Sequence, residues 1–151
     1  MIKIEKDGIL TESSCQLPDY PLNVVNAKGT FLAQSESNIV CGGEPISGCY
    51  GLQLEASNEC YKFDVNAWKE MPSMKIARAS HGMTSTNDLI FVCGGKDTSC
   101  STTSSCEKFE NRKWISIQSL PIKSRNHCMI AINNETILSI GGWDGSEVRR
   151  L

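Results

Sequence analysis

The chain has 151 residues, with 15 Lys and Arg against 17 Asp and Glu, so its net charge is −2. Its 40% hydrophobic and 21% charged residues are ordinary for a globular protein of about one domain's length. Basic residues stand singly, which argues against a nucleic-acid surface, and no apolar run approaches the roughly 20 residues needed to span a bilayer as a helix. Met1 to Ser14 lacks the charged-then-apolar layout of a signal peptide.

Four units follow in chain order. Residues 1–21 read as the tail of a preceding unit, with an outermost strand over Ile9 to Gln16 and a hydrophobic-Pro pair at Leu17-Pro18. Residues 22–73 contain an apolar run ending at Gly42-Gly43, then Phe63 and Trp68 five residues apart, then Met71-Pro72. Residues 74–121 repeat that order as Gly94-Gly95, Phe109 and Trp114, and Leu120-Pro121. Residues 122–151 begin a further copy and stop soon after Gly141-Gly142. Short β-branched and aromatic runs ended by glycine read as buried strands, and a period near 50 residues points to a repeat architecture. Arg78 and Arg125 each stand 17 residues before the second glycine of their pair; Asn26 occupies that place in the first unit.

Arginine, apolar strand, Gly-Gly, aromatic, Trp and Pro in that order resemble the kelch repeat, and the resemblance runs from about Val24 to Gly145. It implies an all-β fold, a kelch-type β-propeller fragment of about three four-stranded antiparallel blades with the last incomplete. In the second unit the strands are expected at Ser80 to Ser85, Leu89 to Cys93, Cys106 to Glu110 and Trp114 to Gln118, and no segment reads as a helix. The aromatic–Trp pairs are expected between neighbouring sheets, as core rather than as ligand platforms. Closed propellers use about four to eight blades, so remaining blades are expected from missing sequence. A second chain is the other source, two copies offering six blades.

Eight cysteines are many for a reducing compartment. Cys41, Cys49 and Cys60 occupy the same repeat positions as Cys93, Cys100 and Cys106, while Cys15 and Cys128 stand outside these triplets. No Cys-x-x-Cys knuckle supports zinc. Cys60 and Cys106 are each expected to bond within their own unit, either to the loop cysteine (Cys49, Cys100) or to the strand cysteine (Cys41, Cys93). Buried reduced thiols are the alternative for Cys41 and Cys93. The resemblance is closest to cysteine-containing secreted invertebrate kelch-like proteins, which implies an extracellular setting; a cytoplasmic one is the alternative.

No catalytic set is legible. His81 and His127 are the only histidines, expected on inner strands with ring nitrogens meeting backbone carbonyls rather than a metal. There is no nucleophile elbow, phosphate loop or dinucleotide glycine pattern. Arg78 and Arg125 read first as strand-end bridges, and second as part of a ring gripping acidic peptides. Asn134-Glu135-Thr136 is an acceptor sequence for N-glycosylation in an exposed turn. The expected function is a non-enzymatic module binding an unknown protein partner, with no cofactor, nucleic acid or membrane span. An intracellular adaptor (a ubiquitin-ligase substrate receptor or actin binder) and a non-catalytic remnant of a kelch-scaffold oxidase are the alternatives.

Overall fold

A computed structural model describes residues 2–4, 10–12, 18–32, 36–45, 56–64 and 66–148. Every regular element among them is a strand. β1 (Ile2–Ile4) and β2 (Leu10–Glu12) form an antiparallel hairpin. β3 (Val24–Val25) pairs with β6 (Glu44–Pro45). Between and after them, β4 (Lys28–Leu32), β5 (Ser37–Cys41), β7 (Cys60–Asp64) and β8 (Ala67–Met71) form a four-stranded antiparallel meander, the first blade. β9 (Gly82–Ser85), β10 (Ile90–Cys93), β11 (Cys106–Glu110) and β12 (Lys113–Ile117) repeat it as the second. β13 (Cys128–Ala131) and β14 (Ile137–Ile140) are the first two strands of a third. The expected strands of the second unit fall within two residues of these.

The turns follow from local chemistry. Asn111 and Arg112 both have left-handed backbones (φ 49° and 61°) between the paired Glu110 and Lys113. That is the geometry a two-residue hairpin requires to match strand twist. At the other end of each blade, the Gly-Gly pairs combine positive φ with close approach. Gly42 and Gly43 have φ of 69° and 109°, and Gly94 and Gly95 have 64° and 94°. Gly43 N–H donates to the Arg78 carbonyl at 3.0 Å and Gly95 N–H to the Ser124 carbonyl at 2.8 Å. Each pair therefore joins its blade to the next, where a Cβ would strike backbone.

The core lies in the seams between blades. In the first seam Ile90, Val92 and Trp114 pack on Ile39, Cys41 and Cys60. In the second, Met129 covers Phe91, Cys93 and Cys106, with Ile137 at its margin. Trp114 meets Phe109 in a tilted contact at 5.2 Å and its indole N–H donates to the Pro72 carbonyl at 2.8 Å. Trp68 repeats the arrangement, at 5.1 Å from Phe63 and donating to the Pro18 carbonyl at 3.1 Å. Pro18 and Pro72 are thus equivalent, as their shared hydrophobic-Pro pairing implies. Leu120-Pro121 is not their counterpart. Leu120 N–H donates to Ser104 as Met74 N–H does to Asn58, which aligns Leu120 with Met74 and Gln118 with Pro72. A three-residue offset separates the visible Leu-Pro from the working acceptor. Of the outermost strand expected at Ile9 to Gln16, Leu10–Glu12 is observed; its remaining residues lie outside the described ones.

Candidate binding site at the mouth of the blades

In a meander the loops between second and third strands emerge at the same end as the segments that link blades. This end carries the Gly-Gly pairs and forms the mouth. An inner ring lines it. Asn26, Ser80 and Asn126 all have left-handed backbones, with φ of 58°, 55° and 55°. Ser80 N–H donates to the Asn26 carbonyl at 2.9 Å, and Asn126 N–H to the Ser80 carbonyl at 2.8 Å.

That ring fixes the true register of the repeats. Ala79 bridges Lys96 as Arg125 bridges Trp143 and as Val25 pairs with Glu44. Arg125 is therefore the counterpart of Ala79, and Ser124 and Val24 stand where Arg78 stands. The shared 17-residue spacing of Arg78 and Arg125 is a coincidence of unequal turns between the first two strands. Asn26, at the same count, belongs to the left-handed ring instead.

Arg78 is fully buried. It donates to the carbonyls of Gly94 (2.7 Å) and Ser105 (3.0 Å), to Ser105 Oγ (3.2 Å) and to Glu107 Oε1 (2.9 Å). Glu107 is equally buried and also accepts from the amides of Lys75 (2.7 Å) and Ile76 (3.1 Å). Burial lowers the guanidinium pKa, and the Glu107 carboxylate opposes that shift. The pair ties the linking segment to β11 and holds Arg78 away from any ligand. Tyr61 occupies the Glu107 position of the first blade, where Val24 replaces the arginine, so the ion pair and its counterpart change together. Sequence reading missed Glu107; the signal available was a charged residue on the inward phase of a strand flanked by Cys106.

His81 and His127 sit at one repeat position, buried to 0% and 5% exposure. Among the described residues no ring nitrogen of either makes a hydrogen bond of full geometry, although the Arg78 backbone lies close enough to His81 to favour its protonated form. Each ring instead fills the space beside a glycine of the preceding blade, His81 against Gly42 and His127 against Gly94. Burial holds both imidazoles neutral, with pKa values lowered to about 3 and about 4. The nearby cations Arg78 and Lys28 add to the shift at His81, and Lys28 adds at His127. Among the described residues no group of three or more His, Cys, Asp or Glu is arranged to hold a metal.

The residue following each Gly-Gly varies where the frame repeats: Glu44, Lys96 and Trp143. Lys96 Nζ reaches both Glu44 oxygens at 2.7 Å across the first seam, and Asn26 Nδ2 donates to Oε1 at 2.7 Å. The Arg125 guanidinium lies 4.0 Å over the Trp143 ring, a cation–π contact. Beyond Lys96 the loop is ordered by Asp97, whose Oδ1 accepts from the amides of Ser99 (2.8 Å) and Ser101 (3.0 Å). Thr98, Ser99 and Ser101 are exposed at its tip.

The cysteines resolve toward the strand alternative. Cys41 bonds Cys60 and Cys93 bonds Cys106, at sulfur–sulfur distances of 2.09 and 2.08 Å across registered strand pairs. Cys100 is also disulfide-bonded. Cys128 is free and exposed; Cys15 and Cys49 lie outside the described residues. Asn134 is exposed in the turn between β13 and β14, where Asn133 Oδ1 accepts from the amides of Glu135 and Thr136.

Comparison with known proteins agrees with the blades. The Kelch motif model matches residues 77–121. Kelch repeat and BTB domain-containing protein 2 of Horsepox virus is 36% identical over 59 residues, covering 39% of this chain and 11% of that protein. The proteins of the same name from Cowpox virus strains GRI-90 / Grishak and Brighton Red match to the same extent. The alignment thus takes in only a small part of these relatives' length. Residues 77–121 thus carry a Kelch motif, within a chain built blade by blade from antiparallel strands.

Proposed function

We propose that the chain is part of a non-enzymatic protein-interaction platform whose mouth-side loops contact a protein partner in an extracellular setting. The carrying observation is the contrast between a repeated frame and unrepeated mouth residues: Glu44, Lys96 and Trp143 share one position, as do Val25, Ala79 and Arg125. Propellers display function on such loops while their blades supply rigidity. Trp143 and Arg125 are half-buried at this end, residue types enriched where interfaces bind tightly. Two cross-strand disulfides support an oxidising compartment, and the Asn134 acceptor sequence suits one. No helix of the described residues is long and apolar enough to cross a membrane.

An intracellular adaptor is the second reading, favoured by the BTB domain in the names of the viral relatives. Two measurements decide between them and test the platform. Trp143→Ala and Arg125→Ala are expected to abolish capture of the native partner, whereas exposed changes at the opposite end, such as Asn111→Ala, leave it intact. Equal capture by all three variants rejects the mouth. Thiol counting on unreduced native protein is expected to find Cys41, Cys60, Cys93 and Cys106 blocked; four free thiols select the adaptor.

A further inference from the structure

The turns at the end of the blades opposite the mouth carry chemistry of their own. β13 and β14 pair as far as Ala131 and Ile137, and residues 132–136 close that hairpin. The turn is held from within. Ile132 N–H donates to the Thr136 carbonyl at 2.9 Å, and Asn133 Oδ1 accepts from the amides of Glu135 (2.9 Å) and Thr136 (2.8 Å), an Asx-type arrangement. These bonds use neither the Asn134 side chain nor the Thr136 hydroxyl, and both residues are exposed. Asn134-Glu135-Thr136 is the only Asn-x-Ser/Thr acceptor sequence in the chain.

A second observation lies beside that turn. The equivalent turn of the second blade joins β9 to β10, where Thr86 N–H donates to the Leu89 carbonyl at 3.0 Å. Thr86 and Asn87 on this side, and residues 131–135 on the other, line a hollow of about 490 Å³, a size that takes small ligands. Its lining mixes hydroxyl, amide and carboxylate groups with the aliphatic surfaces of Ala131 and Ile132, the latter 58% exposed. Such a mixture suits a sugar, whose hydroxyls need donors and acceptors while its C–H faces need apolar cover. Asn134 is itself part of the lining, so a sugar attached to its amide begins inside the hollow.

We propose that Asn134 carries an N-linked glycan whose first sugar seats in the hollow between these two turns. The proposal rests on the extracellular reading above, because the sugar donor, a lipid pyrophosphate-linked oligosaccharide, is met in the secretory lumen. In the transfer, Asn134 Nδ2 forms a bond to the anomeric carbon of the first N-acetylglucosamine. The bond from that carbon to the pyrophosphate oxygen breaks, the lipid pyrophosphate leaves, and Nδ2 gives up one proton to the transferase. The seated sugar covers Ile132. It lies at the end away from the Gly-Gly pairs and leaves the mouth residues free.

The test treats protein from its native source with peptide-N-glycosidase and counts thiols on the same unreduced sample. The expected result is a loss of oligosaccharide mass that leaves aspartate at position 134, with Cys41, Cys60, Cys93 and Cys106 blocked. Blocked cysteines beside an unmodified Asn134 would overturn the proposal and leave the extracellular reading standing; free thiols beside an unmodified Asn134 would overturn both. Thr136→Ala is expected to abolish the modification and Thr136→Ser to keep it, and equal modification of the two would count against the assignment. The seat is read by NMR on the glycosylated protein. The N-acetyl methyl of the first sugar is expected to contact Ile132 or Asn87, and a sugar that shows no such contact would overturn its placement in the hollow.

Discussion

Buried polar residues carry the most consequential chemistry in this fold. Among the described residues Arg78 and Glu107 neutralise one another with their other contacts to backbone or hydroxyl groups, apart from Arg78 Nε, which has none. Glu107→Ala strands a buried guanidinium and is expected to cost about 3–5 kcal/mol. The double change Arg78→Met with Glu107→Leu should cost less than the sum of the two single losses, because it removes both desolvated charges. Urea unfolding of the three variants checks this. The histidines give a pH dependence with a definite sign. Their native pKa values of about 3 and 4 lie below the ordinary 6.5, so the unfolded chain binds protons first. Their contribution to stability is present above about pH 6.5 and is lost as pH falls toward 4 and then 3. His81→Gln with His127→Gln should flatten that slope in a series of unfolding midpoints from pH 7 to 4.

Strand positions were legible because buried runs, turn residues and Gly-Gly pairs each act over a few residues. The phase of one repeat against the next was less so. Arg78 and Arg125 share a spacing to glycine yet occupy different ring positions, and Leu120-Pro121 imitates Met71-Pro72 three residues out of register. Turn length between strands shifts such counts without disturbing the pairing itself. Glu107 was illegible for another reason: its partner is 29 residues distant, and only the folded blade brings them together. Trp114 shows what the correct register predicts. Its burial between blades sets the expected loss for Trp114→Ala at about 3–5 kcal/mol, whereas exposed Arg112→Ala stays within about 0.5 kcal/mol. Denaturation midpoints that coincide for the two variants would contradict the seam described above.

At the scale of the whole molecule, stability resides in seams rather than in one central core, and each blade supports its neighbours. The two cross-strand cystines reinforce individual blades, closing spans of 19 and 13 residues. On a chain-entropy account, bridges of this size contribute roughly 3 kcal/mol each. Reduction under native conditions is therefore expected to lower the melting temperature by well over 10 °C, read by calorimetry with and without reductant. An unchanged melt would mean that the strand cysteines contribute no more than ordinary buried side chains.

The left-handed ring of Asn26, Ser80 and Asn126 gives the array a direction. Each link donates backward and accepts forward, in the manner of a head-to-tail polymer, so the two faces of a blade are chemically unlike. Identical faces brought together across a dyad would set donor against donor or acceptor against acceptor at the axis. Growth of the ring is therefore polar: a further blade can extend it only by offering an amide to Asn126 or a carbonyl to Asn26, and never in the reverse sense.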